Sequence, residues 1–259
     1  MPLVFRSDVE FLRTRRDSMD RQVVMITGCA GGMGQAIVTR FVSGGWLVIG
    51  VDHNRDRLSG VSERYAGQGH LFEAVELASG DLGQQVAVLI ERIGRLDALV
   101  NLAGISCGDA LEELRIEDWD LSMAVNAKAP LVITKAAAQY LIASRGSIVN
   151  VGSPVGIVGA RKPSYAASKA ALHGLTMSFA RNLGRKGVRA NLLLPGTCIT
   201  FLTCDWSDEK RKQIAEDNFL GRLCTPEEIA SVVWFLTGKD ASFVTGSVID
   251  MTAGGLWGH

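Results

Sequence analysis

Tyr165 and Lys169 stand four residues apart. On a helix this spacing puts both side chains on one face, one turn from each other. A phenol with a pKa of about 10 is a poor base at neutral pH. A neighbouring cation favours the phenolate, so such a pair can exchange a proton with an alcohol or a carbonyl. Ser153 comes twelve positions before the tyrosine and just after the run Ser147-Ile148-Val149-Asn150-Val151. Its hydroxyl therefore emerges at the end of a strand, placed to donate to an oxygen on which negative charge grows. Taken alone, the Tyr–Lys pair could be a surface pair and the serine a cap before Pro154. A second constellation favours the chemical reading.

That constellation is Thr27-Gly28-Cys29-Ala30-Gly31-Gly32-Met33-Gly34, preceded by Val23-Val24-Met25-Ile26 and followed by a helical pattern through Ile37, Val38, Phe41 and Val42. A strand that ends in glycines and opens into a helix brings backbone N–H groups against a pyrophosphate. The next apolar run, Trp46 to Val51, ends in Asp52, eighteen positions after Gly34. An acid at about that distance accepts hydrogen bonds from ribose hydroxyls and repels a 2′-phosphate, which favours NAD over NADP. The alternative is that His53 and Arg55 greet a 2′-phosphate.

These residues need a scaffold. Strand-like apolar runs occur at 23–26, 46–51, 70–75, 96–101, 147–151, 189–194 and 246–251, with helical patterns between them. Val86, Leu89, Ile90 and Ile93 form one; Ile229, Val232, Val233, Phe235 and Leu236 form another, after the start signal Thr225-Pro226-Glu227-Glu228. Strand and helix alternation predicts an α/β fold, a single-domain Rossmann-like doubly wound sheet of about seven parallel strands with helices on both faces. Ligands of such sheets sit beyond the carboxyl ends of the strands. Glu76-Leu77, Asn101 to Gly104, Gly152-Ser153 and Pro195-Gly196 follow strands and are expected to line one cleft. Residues 1–20 mix arginines with acids and are predicted to be an N-terminal arm, flexible or in contact with another subunit; 21–259 form the catalytic domain.

The 259 residues carry 27 basic and 27 acidic side chains, net charge zero, which offers nothing to a nucleic-acid backbone or an anionic membrane. Residues 1–20 contain no apolar run with the length of a signal-peptide core or a membrane span. Five cysteines without a C-x-x-C pair indicate neither a disulfide framework nor zinc, and a reducing, cytoplasmic setting is expected. The four histidines lack metal-ligand spacing, so no metal is expected.

The motif series resembles the short-chain dehydrogenase/reductase family, of the kind called classical. Its carriers are Thr27-Gly28-x-x-x-Gly32-x-Gly34, Asn101-Leu-Ala-Gly104, Asn126, Ser153, Tyr165-Ala-Ala-Ser-Lys169, Pro195-Gly196 with Thr200, Thr245-Gly246 and Gly254-Gly255. The match covers nearly everything after residue 20. Leu102 stands where the family usually has Asn, Glu76 where it has Asp, and the Ser153–Tyr165 interval is one residue shorter than in many members. The resemblance implies catalytic roles for Asn126, Ser153, Tyr165 and Lys169, with Asn126 interrupting its helix to hold a water that relays protons to the lysine. It implies cofactor contacts from Gly28, Gly32, Met33, Gly34, Asp52, Glu76, Leu77, Asn101, Ala103, Gly104, Tyr165, Lys169, Pro195 and Thr200. Thr200 would hold the carboxamide, and Thr197 to Asp217, with Phe201, Leu202 and Trp206, would close over substrate.

The expectation is then an NAD-dependent oxidoreductase interconverting a secondary alcohol and a ketone, on 3-hydroxy/3-oxoacyl substrates as in the similar 3-oxoacyl-carrier-protein reductases. A sugar, polyol or cyclic-diol dehydrogenase is the alternative; a non-catalytic dinucleotide-binding regulator or scaffold is another. Arg161 and Lys162 either meet an anionic substrate group or are solvated. A homo-oligomer, dimer or tetramer, is expected through the helices after the fourth and fifth strands.

Overall fold

The computed structural model describes residues 21–199 and 206–256. The N-terminal arm 1–20 and the residues Thr200, Phe201 and Leu202 lie outside the described residues.

Seven strands form one parallel sheet: β1 (Val23–Thr27), β2 (Leu47–Asp52), β3 (Leu71–Ala74), β4 (Ala98–Asn101), β5 (Ser147–Val151), β6 (Arg189–Pro195) and β7 (Val248–Met251), in the order β3-β2-β1-β4-β5-β6-β7. The central strands are covered on both faces and read as unbroken apolar runs, as buried parallel strands must. Their registers align the carboxyl ends. Thr27 is opposite Val51 on one side and Asn101 on the other, and Val151 is opposite Leu193. The strand order reverses between β1 and β4, so the clefts open there.

Helices cover both faces. On one side α1 (Gly32–Ser43), α2 (Arg55–Arg64) and α9 (Pro226–Thr237) bury Ile37, Val38, Phe41, Leu58, Val61, Ile229, Val233 and Leu236 against the sheet. On the other, α3 (Leu82–Ile93), α5 (Ala129–Ser144) and α7 (Pro163–Leu183) bury Val86, Leu89, Ile90, Ile133, Leu141, Phe179 and Leu183. The start of α9 is a capping box: Thr225 accepts the Glu228 N–H and Glu228 accepts the Thr225 N–H.

The chain after β4 does not form one regular helix. α4 (Ile116–Met123) passes into a π-helical turn, Ala124–Lys128, and then into α5. Asn126 is in that turn and wholly buried. Such widened turns cluster at functional sites. A four-residue helix α6 (Val155–Val158) follows β5, and α8 (Asp208–Glu216) follows β6 in the chain.

Candidate active site

The glycine turn builds the floor of a cavity of about 640 Å³. Gly28 has φ +70°, a conformation L side chains rarely take, and a Cβ there would stand 3.0 Å from the Ala103 Cα. At Gly34 a Cβ would fall on the Gly28 carbonyl oxygen, so only glycine lets α1 begin this close to the turn. Thr27 ties the two lips together: its hydroxyl oxygen accepts the N–H groups of Leu102 and Ala103, both at 3.1 Å. The cavity wall then continues through Ala103, Gly104 and Ile105.

Asp52 ends β2 at the mouth of this cavity, and its carboxylate is fixed. One oxygen accepts the Ala30 N–H at 3.0 Å and the other accepts the Asn54 N–H at 3.0 Å. His53 Nδ1 stands 3.4 Å away on a largely exposed ring. The second basic residue lining the cavity is Arg57, in the first turn of α2; Arg55 is exposed and does not line it.

The chemistry-bearing trio sits on the other side of Gly104. Ser153 follows β5, and its hydroxyl is close enough to Tyr165 on α7 to act on the phenol's titration. Between them α6 lies directly on α7. A Cβ at Gly156 would be 2.8 Å from the Ala170 nitrogen, so glycine permits the close crossing of α6 on α7. Lys169 is buried, donates to the Val151 carbonyl at 3.0 Å, and holds its ammonium 6.0 Å from the centre of the Tyr165 ring. A Cβ at Gly104 would stand 3.0 Å from Lys169 Nζ and 3.2 Å from Asn126 Oδ1, so this glycine brings both side chains up to the cavity wall.

Electrostatics in the protein alone differ from the simple picture of a cation lowering a phenol. Burial pushes the Tyr165 phenol up, and the nearby Ser153 hydroxyl draws it back only in part. Burial also lowers the Lys169 amine to about 8. Both groups are thus held towards their neutral forms until further charge enters the site.

Most residues singled out from the sequence come together here. Gly28, Gly32, Met33, Gly34, Asp52, Glu76, Leu77, Ala103 and Gly104 line the cavity. Asn101 does not: it is turned into the core, where its amide donates to Asn150 Oδ1 at 2.8 Å and steadies β4 against β5. Pro195 closes β6, and its successors Gly196 and Thr197 line a second cavity of about 480 Å³ shared with Pro154. Arg161 is exposed, and Lys162 reaches the Ser106 carbonyl at 3.5 Å. The sequence reading missed Ile105, Leu121 and Val125 as cavity wall; apolar side chains in loops and helix ends carry no local signature. Among the described residues no cluster of His, Cys, Asp and Glu could hold a metal ion, and no helix is long and apolar enough to cross a membrane.

A doubly wound sheet with a glycine turn, an aspartate at the end of β2 and a Ser–Tyr–Lys cluster at the end of β5 defines a class, and comparison with known proteins agrees with it. The family described as enoyl-(acyl carrier protein) reductase matches residues 28–255. The chain belongs to the classical short-chain dehydrogenase/reductase family and is an oxidoreductase acting on CH–OH or ketone groups. It is 35% identical over 241 residues to the 3-oxoacyl-acyl-carrier-protein reductase FabG of Thermotoga maritima, spanning 91% of this chain and 98% of that one. To the meso-2,3-butanediol dehydrogenase of Serratia marcescens it is 33% identical over 240 residues, 91% of this chain and 94% of that one. Among solved structures, the 3-ketoacyl-(acyl-carrier-protein) reductase of Brucella melitensis complexed with NADH superposes with a TM-score of 0.84 at 26% identity, covering 91% and 98% of the two chains.

Proposed function

We propose that this protein is an NAD-dependent oxidoreductase that interconverts a secondary alcohol and a ketone, with 3-hydroxyacyl and 3-oxoacyl thioesters as its leading substrates. The observation that carries this reading is the meeting of Ser153, Tyr165 and Lys169 on the far side of Gly104 from a cavity guarded by Asp52. The cavity suits a dinucleotide: its floor is bare backbone at Gly28 and Gly34, and its mouth holds a fixed carboxylate. When bound, the nicotinamide supplies or takes up the hydride.

The chain's own residues do the rest. Ser153 donates to the substrate oxygen as charge develops on it, and Tyr165 gives that oxygen a proton in reduction or removes one in oxidation. Lys169 supports the phenolate by its charge. Asp52 accepts from the adenosine ribose and repels a 2′-phosphate. The thioester preference draws on the Thermotoga and Brucella relatives, whose names specify 3-oxoacyl or 3-ketoacyl carrier-protein substrates. The Serratia relative keeps a small diol as the second reading. Comparing kcat/KM for a 3-oxoacyl thioester and for a vicinal diketone or diol separates the two: the thioester should win by tenfold or more on the order of magnitude that one well-filled apolar subsite provides.

The pH dependence follows from the two buried groups. In ketone reduction Tyr165 must hold its proton, and its raised pKa keeps that proton in place through neutral pH. Lys169 is charged below about 8 and neutral above it. Reduction should therefore be level below about pH 8 and decline above it, as the lysine loses the charge that makes the phenol a willing donor. A kcat/KM profile that climbs through this region contradicts the assignment.

We also propose a homo-oligomer. Leu131 is exposed at a shallow cleft between α4, α5 and α7 that is also lined by Ala124, Ala127, Ala171 and Gly174. Small residues let a second pair of helices approach closely there. Light scattering should give at least a dimer mass, and a monomer at micromolar concentration contradicts this.

A further inference from the structure

We propose that Ser168 is a positioning residue of this active site, holding Tyr165 and Asn126 in register with the cavity wall. The inference rests on the reading of Tyr165 and Lys169 as the catalytic pair. Ser168 is wholly buried on the inner face of α7, one place before Lys169 and three after Tyr165. Its hydroxyl is both donor and acceptor: it donates to the Tyr165 carbonyl at 2.9 Å and accepts from Asn126 Nδ2 at 2.9 Å.

The asparagine extends this chain of bonds. Its Oδ1 accepts the Ile105 N–H at 2.8 Å, and its Nδ2 also donates to the Ile105 carbonyl at 2.8 Å. Both N–H groups and the amide oxygen are thereby used, and the amide has one orientation that satisfies all three bonds. Ile105 lines the cavity, and Asn126 Oδ1 is next to the Gly104 position that Lys169 Nζ also approaches. A continuous path runs from the cavity wall, through Asn126 and Ser168, to the backbone turn that carries the Tyr165 ring.

Ser168 is the link that has no substitute on this path. A serine that bonds back to a carbonyl three residues earlier tilts the helical turn it spans. Removing the hydroxyl frees that turn and leaves one buried amide N–H of Asn126 without a partner, so the amide is no longer fixed. Ser164, one turn earlier, provides a control within the same helix. It is equally buried and grips the same loop, donating to the Cys107 carbonyl at 2.7 Å, but it reaches Cys107 instead of Asn126.

The test compares Ser168→Ala, Ser168→Cys and Ser164→Ala with the wild type for kcat, cofactor KM, NADH dissociation constant and thermal midpoint. For Ser168→Ala, kcat should fall by about 10- to 100-fold, the scale of a small misplacement of a reacting group, with NADH affinity within about threefold of wild type. Ser168→Cys, of similar volume and with a weak S–H donor, should lie between serine and alanine, and it decides the matter if the alanine variant does not fold. Ser164→Ala should lose distinctly less kcat. Equal losses at 164 and 168, or a Ser168→Ala kcat within about threefold of wild type, overturn the proposal. Tyr165→Phe measured alongside separates the two claims. If it is inactive while the Ser168 variants are normal, only the role of Ser168 falls; if it is active, the reading of the site falls with it.

Discussion

Replacing Tyr165 by phenylalanine should lower kcat by roughly 10²–10⁴ while NADH affinity stays within about threefold of wild type. The ring and its contact with the Lys169 ammonium, 6.0 Å from its centre, survive the change, so packing is retained. What disappears is the phenol O–H, which in the proposed reaction exchanges a proton with substrate. Ser153 still donates to the substrate oxygen, which leaves a residual rate above the uncatalysed one. Initial rates under saturating substrate, with a fluorescence titration of NADH, measure both quantities. A variant with near-wild-type kcat would remove Tyr165 from the chemistry.

The second large effect belongs to Asp52. Asp52→Asn preserves shape but removes the charge and one acceptor. Loss of a charge-assisted hydrogen bond to the ribose should weaken NADH binding by roughly 10- to 100-fold. The same change relieves repulsion of a 2′-phosphate, and His53 and Arg57 already line that end of the cavity. The NADPH-to-NADH preference should therefore shift by about two orders of magnitude towards NADPH. Dissociation constants for both reduced cofactors, in wild type and variant, measure the shift. An unchanged ratio would mean that this carboxylate does not read the ribose, and that its two backbone contacts, Ala30 and Asn54, are its whole role.

The central strands were legible because a parallel strand buried on both faces must be apolar at nearly every position, and each of the seven runs overlaps one observed strand. The glycine turn was equally legible, since glycine there answers a steric demand that no other residue meets. The orientation of Asn101 was not. Its motif neighbours Ala103 and Gly104 face the cavity, but the pleat of β4 turns its own amide towards Asn150, and only the pairing of β4 with β5 reveals that partner. The π-helical turn at Asn126 was expected only as an interruption of a helix. Its form depends on the grip between Asn126 and Ile105, twenty-one residues apart in sequence. Thr27 and Gly156 were missed as clamps for the same reason. A threonine ending a strand and a glycine in a short helix have no local signal; their roles come from Ala103 and Ala170, brought in by the fold.

In the proposed reaction a ketone is reduced at Tyr165 at the expense of NADH. The most direct measurement is the steady-state consumption of NADH, and separately of NADPH, by the wild-type protein with a short 3-oxoacyl thioester, with the 3-hydroxyacyl product quantified. One product should form per NADH consumed, and kcat/KM with NADPH should be at least about tenfold lower. Tight NADH binding without turnover of this thioester, or of any ketone or secondary alcohol in a panel, would contradict it and leave a dinucleotide-binding protein that does no redox chemistry.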